Sequence, residues 1–269
     1  MESDNIKRWL VRVCTAFGLN WCAPKMPKRK TYVPPPPGDV DEEIEIFRKD
    51  EETAQQTFFA YLGIRDLIAK NPDVYAAVNR NAMFWLTTHR ALFVSTFVGL
   101  GRIFDQESAH NLDRLLTMIG RNLIQLSRDA LRQRKEQLIT PEQAAAYVDD
   151  KHDITATEVR QLRKEVDAWR RVYAPVYGEI RHHLAHNKGA TEDLEALLKK
   201  TNIEEMKKMF GFLHALHEAM RELHLNGRNP LPLPDVMFVL PPDPKPARQY
   251  HPGEKAYREA QDALLSMLG

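Results

Sequence analysis

One long stretch of helical patterning, bounded on both sides by proline, most constrains the fold of this 269-residue chain. On its N-terminal side, Tyr32–Gly38 contains four consecutive prolines, which favour an extended polyproline linker. On its C-terminal side, eight prolines fall within Pro230–Pro252. Apolar residues between these limits recur every three or four positions, the period of an amphipathic helix. We therefore predict an all-α, antiparallel helical bundle over residues 39–225, with 1–38 as a basic N-terminal extension and linker and 226–269 as a proline-rich tail.

Capping and breaking signals divide the stretch into helices. Asn71-Pro72 should end one helix, because a residue before proline avoids helical geometry. Pro175 should kink another, and Gly189 should stop it. Capping signals stand at Asp39, Thr140, Thr155 with Glu158, and Thr201 with Glu204. The predicted helices cover 39–70, 73–106, about 110–137, a short segment from Pro141, 155–187, 201–225 and 254–268, and only Val236–Leu240 suits a short strand.

Charge, cysteine content and hydropathy indicate the cellular compartment of the protein and the partners that it could contact. The net charge is only +1, but residues 1–31 carry seven basic side chains against two acidic ones, so that this extension could contact RNA or a membrane surface, or simply be solvated. The two cysteines, Cys14 and Cys22, cannot form a disulfide framework or a zinc site unaided, which fits a reducing compartment. No signal peptide is evident, and the apolar run Ala91–Gly101 is too short to span a bilayer. We expect a cytoplasmic protein without a membrane partner.

Two motifs carry the chemistry, while phosphate-binding loops, nucleophile elbows and paired-cysteine zinc motifs are absent from the sequence. In the first motif, Arg181 and His186 are separated by four residues, and the polar His182 follows the arginine directly. The second motif is an aromatic-rich apolar helix that begins near Phe84-Trp85 and ends in Arg102 and Asp105, three residues apart.

Together, in this order and spacing, the two motifs resemble the abortive-infection (AbiU-like) branch of the HEPN superfamily over roughly residues 40–225. The resemblance implies an all-α bundle, often a homodimer in which two arginine–histidine motifs face each other in a composite site, and RNA cleavage without a metal or another cofactor. It assigns Arg181 to binding and polarising the scissile phosphate and His186 to proton transfer. His182 would tune or support the site.

The chemistry of these residue types agrees with such a reaction. A histidine with a pKa near about 6.5 exchanges protons at cellular pH, and an arginine fork matches a phosphate group. The RNA supplies its own nucleophile, the 2′-OH. However, Arg181 and His186 lie about 140° apart on an ideal helix. Either the helix end is distorted or a partner protomer completes the site.

Other polar residues have two interpretations each. Arg102 and Asp105 would orient Arg181 or His186, or would form a structural ion pair. Lys188 would contact phosphate, or would lie at a solvated helix end. His214 and His217, with Glu218, would hold a metal, or would be surface or interface histidines like His224, and we expect no metal. The four-residue spacing of Trp169, Tyr173 and Tyr177 indicates a core stripe or a surface on which bases stack.

Three functions remain open at this stage. The first is a metal-independent endoribonuclease that acts as an antiphage abortive-infection or toxin effector, with an antitoxin or another defence protein as a possible partner. The alternative is a non-catalytic HEPN module that binds RNA, nucleotide or a partner protein. The third is a metal-dependent helical-bundle enzyme that uses the histidine clusters.

Overall fold

A computed structural model describes residues 39–186, 191–237 and 252–268, without the side chains of Ala185, His186, Thr191 and Glu192. This part of the chain is a bundle of α-helices without strands, as the sequence predicts. The predicted extension and linker, residues 1–38, lie outside the described residues. The α-helices are α1 (Val40–Lys70), α2 (Pro72–Arg80), α3 (Ala82–Phe104), α4 (Leu112–Arg121), α5 (Arg128–Glu136), α6 (Pro141–Val148), α7 (Ala156–Tyr173), α8 (Glu179–His186), α9 (Thr191–Leu198), α10 (Ile203–Asn226) and α11 (Pro252–Leu265). Short 3₁₀ turns cover Leu123–Leu126 and Ser266–Leu268.

Helix α1 is the centre of the bundle, because it packs against α3, α10 and α11. It runs antiparallel to α3: Asp50 pairs with Arg102 near one end, and Tyr61 stacks on His89 near the other. It also runs antiparallel to α10, whose Phe210 stacks on Phe58 at 5.0 Å between ring centroids. Packing of these apolar stripes removes large aromatic side chains from water, which is the main stabilising contribution to such a bundle.

The C-terminal helix α11 runs in the same direction as α1, unlike α3 and α10. Gln55, in the middle of α1, accepts a hydrogen bond from the backbone N–H of Gly253. Asp66, near the C-terminal end of α1, accepts a hydrogen bond from the hydroxyl of Tyr257, which lies further along α11. Leu264 is fully buried against Ile64 and Val74. Residues 252–268 therefore pack directly on the central helix of the bundle.

Two predicted helices are each divided in the structure. The predicted helix 73–106 is interrupted at Asn81, whose backbone leaves helical geometry (φ −127°, ψ 47°) between α2 and α3. The predicted helix 110–137 is interrupted at Asn122 and at Ser127, whose hydroxyl accepts from the backbone N–H of Ala130 and caps α5. Asparagine and serine compete with the helical backbone through their own side chains, so they allow such breaks.

The capping residue of α10 also differs from the prediction. The side chain of Asn202, rather than that of Thr201, accepts hydrogen bonds from the backbone N–H groups of Glu204 and Glu205. The Thr201 hydroxyl instead donates to the carbonyl oxygen of Leu198 at the end of α9. The remaining predicted caps, at Asp39, Thr140 and Thr155, are confirmed, and the last two form complete capping boxes.

We expect Asn202→Ala to lower the free energy of unfolding by about 1 kcal/mol, because two N–H groups of α10 lose their acceptor. Thr201→Ala is the matched control, since it removes a neighbouring hydroxyl without uncapping α10, and should cost about 0.5 kcal/mol or less. Urea unfolding followed by circular dichroism measures both values. A larger loss for Thr201→Ala would mean that the threonine is the functional cap.

The predicted strand Val236–Leu240 and the predicted helix end at Gly189 lie wholly or partly outside the described residues. Residues 236 and 237 are irregular, and the rest of the predicted strand Val236–Leu240 lies outside the described residues, as does the predicted stop at Gly189. Within the described ranges, none of the helices combines the length and apolar character needed to cross a bilayer.

Candidate active site

The helix that carries the arginine–histidine motif begins after an irregular turn. Residues Ala174–Gly178 form a π-helical turn between α7 and α8. Pro175 has no backbone N–H and cannot continue the α-helical hydrogen bonds, which accounts for the local change in geometry. The kink that the sequence predicts at Pro175 is therefore present as a π-turn.

A stripe of side chains on either side of this turn faces α3. Tyr173 stacks on Phe104 with 4.9 Å between ring centroids, and Tyr177 stacks on Phe97 at 6.3 Å. Tyr173 is 2% exposed and Tyr177 is fully buried, so that the core interpretation of these aromatics is confirmed. The same four-residue spacing continues to Arg181, which places the arginine against the C-terminal end of α3.

Arg181 forms an ion pair with Asp105, the residue that ends α3. Each side chain is about one-fifth exposed, at 21% and 22%, so that the pair sits at the edge of the core and not on the open surface. Nη2 of the guanidinium faces the carboxylate, whereas the buried Nε makes no hydrogen bond among the described residues. Asp105 therefore holds one side of the guanidinium in place, and part of the side chain stays accessible.

Gly101 makes this approach of α8 to α3 possible. A methyl group built on Gly101 would overlap Arg181 Cδ and would lie 2.9 Å from Nε. Any larger residue at this position would occupy the space that the arginine side chain crosses. Glycine here leaves the space that the arginine side chain occupies, although the helical backbone itself would accept alanine.

The electrostatics of Asp105 reflect its surroundings. Burial raises the pKa of the Asp105 carboxyl, and the positive charges of Arg181 and of protonated His182 partly oppose the rise. Burial also raises the pKa of the Tyr173 hydroxyl, and the nearby Asp105 carboxylate adds to that effect. The charges of Asp105 and Arg181 both act on the Tyr173 hydroxyl, which therefore lies near this ion pair. The hydroxyl makes no hydrogen bond among the described residues.

Arg102 and Asp105, which were paired from the sequence as a supporting motif, form ion pairs with different residues. Arg102 does not contact Asp105; its guanidinium donates to Asp50 of α1 at 3.3 Å and is 61% exposed. Asp105 alone reaches the helix of Arg181. Tyr173 had two interpretations from the sequence, a core aromatic or a surface on which bases stack, and neither placed its hydroxyl near Arg181. The signal for that position was the four-residue spacing that continues to Arg181.

The positions of the histidines are partly described. His182 lies next to Arg181 on α8, close enough for its charge to act on Asp105. His186 ends the same regular helix, but its side chain lies outside the described part of the structure, and so does Lys188. Because residues 179–186 form a regular α-helix, positions 181 and 186 lie about 140° apart around its axis. The backbone of α8 stays helical from one position to the other.

The second histidine cluster was predicted to lie at the surface or at an interface, and two of its three members are buried within the described bundle. His217 is 2% exposed and His224 is 8% exposed, both between α10 and α1. His224 Nε2 lies 3.2 Å from an Asp41 carboxylate oxygen, and His214 lies 3.9 Å from Glu51. The sequence paired these histidines with acidic residues of their own helix, whereas α1 supplies Glu51 and Asp41.

An all-α bundle in which an arginine–histidine helix packs against an aspartate at the end of an aromatic-rich helix defines an HEPN-type protein of the abortive-infection class. The chain belongs to the HEPN_AbiU2 family, whose family model, described as AbiU2, matches residues 42–240. Comparisons with curated proteins and with solved structures gave no match.

Proposed function

We propose that this protein is a metal-independent endoribonuclease that acts in the cytoplasm as an abortive-infection effector. The observation that carries the proposal is the position of Arg181, which Asp105 and Gly101 hold at the edge of the core with part of its side chain accessible. A pre-positioned guanidinium is the group expected to bind a phosphodiester and to stabilise the charge that develops on it. Family membership supports the same interpretation.

The proposed reaction needs two proton transfers. A histidine, which we assign as His186 with His182 in support, takes the proton of a ribose 2′-OH, whose oxygen forms a bond to phosphorus. The bond between phosphorus and the 5′-oxygen breaks, and a second, protonated histidine donates to that oxygen. The products are a 2′,3′-cyclic phosphate and a 5′-OH end, and Arg181 stabilises the phosphoryl oxygens throughout.

We propose that the active form is a homodimer with a composite site. Support comes from the regular helix α8, on which positions 181 and 186 lie about 140° apart around the axis. Arg181 of one protomer and His186 of the other would then act on the same phosphate. Such a toxic activity would also need restraint, which an antitoxin or another defence protein would supply.

The first test is cleavage of total RNA by the purified full chain in EDTA, with mapping of the new ends. We expect wild-type protein to produce cyclic-phosphate ends and His186→Ala to lose at least about a hundredfold in rate, the lower end of what a positioned proton-transfer group contributes. Equal cleavage by both proteins would remove the proposed role of His186.

Binding of RNA without cleavage by either protein would favour the alternative, a non-catalytic HEPN module that binds RNA, nucleotide or a partner protein. That alternative has one observation in its favour, since Asp105 already neutralises part of the charge of Arg181. A binding module tolerates such a pair, whereas a catalyst must let phosphate compete with the carboxylate.

A further inference from the structure

A second cluster of chemically active side chains lies on other helices, between α1 and α10. Glu51 of α1 is fully buried, His217 of α10 is 2% exposed, and His214, one turn earlier, has 28% of its side chain exposed. One ligand-type atom from each of these three residues lies within 4.8 Å of the other two. The antiparallel packing of the two helices creates this arrangement, which involves residues 163 positions apart in the sequence.

Three polar side-chain atoms of Glu51 and His217 have no hydrogen-bond partner within the part of the chain that the structure describes. Glu51 Oε2 and both ring nitrogens of His217 make no hydrogen bond among the described residues. His217 Nδ1 faces Glu218 at 3.5 Å without the geometry of a hydrogen bond. A buried carboxylate oxygen and a buried imidazole that make no hydrogen bond are costly, and native proteins rarely leave them so unless the site has a further occupant.

Outer residues hold the Glu51 carboxylate in a fixed orientation. Gln55 Nε2 donates to Glu51 Oε1 at 2.7 Å, and Gln55 Oε1 accepts from the backbone N–H of Gly253 at 3.2 Å. Glu51 Oε2 is thereby left for a different partner. Hydrogen bonds of this kind to a ligating carboxylate are typical of metal sites, where they fix the ligand before the ion arrives.

We propose that Glu51, His214 and His217 bind one divalent transition-metal ion of the zinc class, with the fourth position open to water. Two imidazoles and one carboxylate are a common set of three protein ligands for such an ion. In a tetrahedral site with metal–ligand bonds of about 2.1 Å, the ligand atoms are about 3.4 Å apart, so movements of the ligand atoms by about 1.5 Å or less, reached by rotating the side chains, close the present arrangement. The partial exposure of His214 provides a path for the ion.

The ligand types of the cluster suit a cation, because one buried carboxylate lies beside two imidazoles. Burial lowers the pKa of His217 to about 4, and the nearby His214, Arg48 and Arg221 act in the same direction. Burial also raises the pKa of Glu51, and the contact with His214 partly opposes that rise.

The proposed metal is a structural clamp and does not take part in the proposed RNA cleavage. It would join α1 to α10 and, through Gln55, would order the contact with α11. The residues of the candidate active site, Arg181 and Asp105, lie on α8 and at the end of α3. Failure of either proposal therefore leaves the other intact, because metal binding and cleavage in EDTA are measured separately.

The test is a titration of the full chain, freed of metal by EDTA and dialysis, with Co²⁺ by visible absorption and with Zn²⁺ by calorimetry. We expect one ion per chain, with the absorption of a nitrogen- and oxygen-ligated tetrahedral Co²⁺ site. Glu51→Gln and His214→Ala should each weaken binding by about a hundredfold or more, since even outer partners of a metal ligand contribute 10–100-fold. Zinc at about a hundred times its Kd should raise the melting temperature of wild type by about 5–10 °C, and that of Glu51→Gln by much less.

Two control variants distinguish this site from adventitious binding. The double variant C14S/C22S removes the two thiols of the chain, and His110→Gln removes a partly exposed histidine that faces Glu43. Both should bind Zn²⁺ as wild type does. Absence of saturable binding by wild type would overturn the proposal, as would a loss of binding in either control without a loss in Glu51→Gln. Circular dichroism of the variants verifies that they are folded.

Discussion

Arg181→Ala is expected to lower RNA cleavage by about a hundredfold to a thousandfold, the loss typical of removing one donor that stabilises transition-state charge. The guanidinium is the cationic group that Asp105 holds at the end of α3, so its removal leaves the phosphate without a bidentate partner. Single-turnover cleavage rates at saturating RNA measure the effect on the chemical step. Arg181→Lys should recover only part of the rate, because an ammonium keeps the charge and loses the planar fork.

The matched control is Arg160→Ala, which removes the same charge from the exposed face of α7. Its cleavage rate should stay within about threefold of wild type, and any loss should disappear at higher RNA concentration, as expected for long-range attraction alone. An equal loss of cleavage rate in both variants would indicate that cleavage depends on the total positive charge and not on the position of Arg181. Full activity in Arg181→Ala would exclude the proposed active site.

Gly101→Ala is expected to disturb the same site from the opposite helix. The new methyl group would overlap Arg181 Cδ, so either the arginine side chain or α8 must move. Overpacking of this kind costs about 1–3 kcal/mol where the structure cannot relax. If the arginine moves instead, the unfolding free energy changes little and cleavage falls, because the guanidinium leaves its position beside Asp105. Urea unfolding and cleavage rates together distinguish the two responses.

Gly120→Ala provides the control for the backbone effect of replacing a helical glycine. A methyl group at Gly120 meets Val159 at 3.6 Å, an ordinary contact, so the substitution should stabilise the protein by up to about 1 kcal/mol. The double variant G101A/R181A completes a cycle, since alanine at position 181 removes the clash. If Gly101→Ala disturbs stability equally with and without the arginine side chain, the assigned contact is wrong.

The sequence predicted the class of fold and most helix ends because those depend on local interactions. The caps at Thr140 and Thr155, the break at Asn71-Pro72 and the kink at Pro175 are all present, and each follows from hydrogen bonding within a few residues. The interruptions at Asn81 and Asn122 were missed because asparagine is tolerated within helices as well as at their ends. Their position is set by which faces α2, α3 and α4 must bury, and this is decided only by packing.

The candidate site was predicted as a set of residues but not as an arrangement. The motif named Arg181, His182 and His186, and the aromatic helix named Asp105 and Arg102. Only the packed structure separates the last two, sending Arg102 to Asp50 of α1 and Asp105 to Arg181. The three-residue spacing on α3 does not settle this, because the neighbours of a helix end depend on which helices cross there.

The sequence by itself determined that this chain folds as a helical bundle and which helix carries its arginine–histidine motif, because periodicity, capping and motif spacing are local properties. The resemblance of its motifs to the HEPN family added the type of bundle. Tertiary structure alone decided that Gly101 makes room for Arg181 and that Glu51 meets His214 and His217 in the core. These contacts join helices that are far apart in the sequence. They exist only when apolar burial brings the helices together in one register, and no local pattern encodes that register.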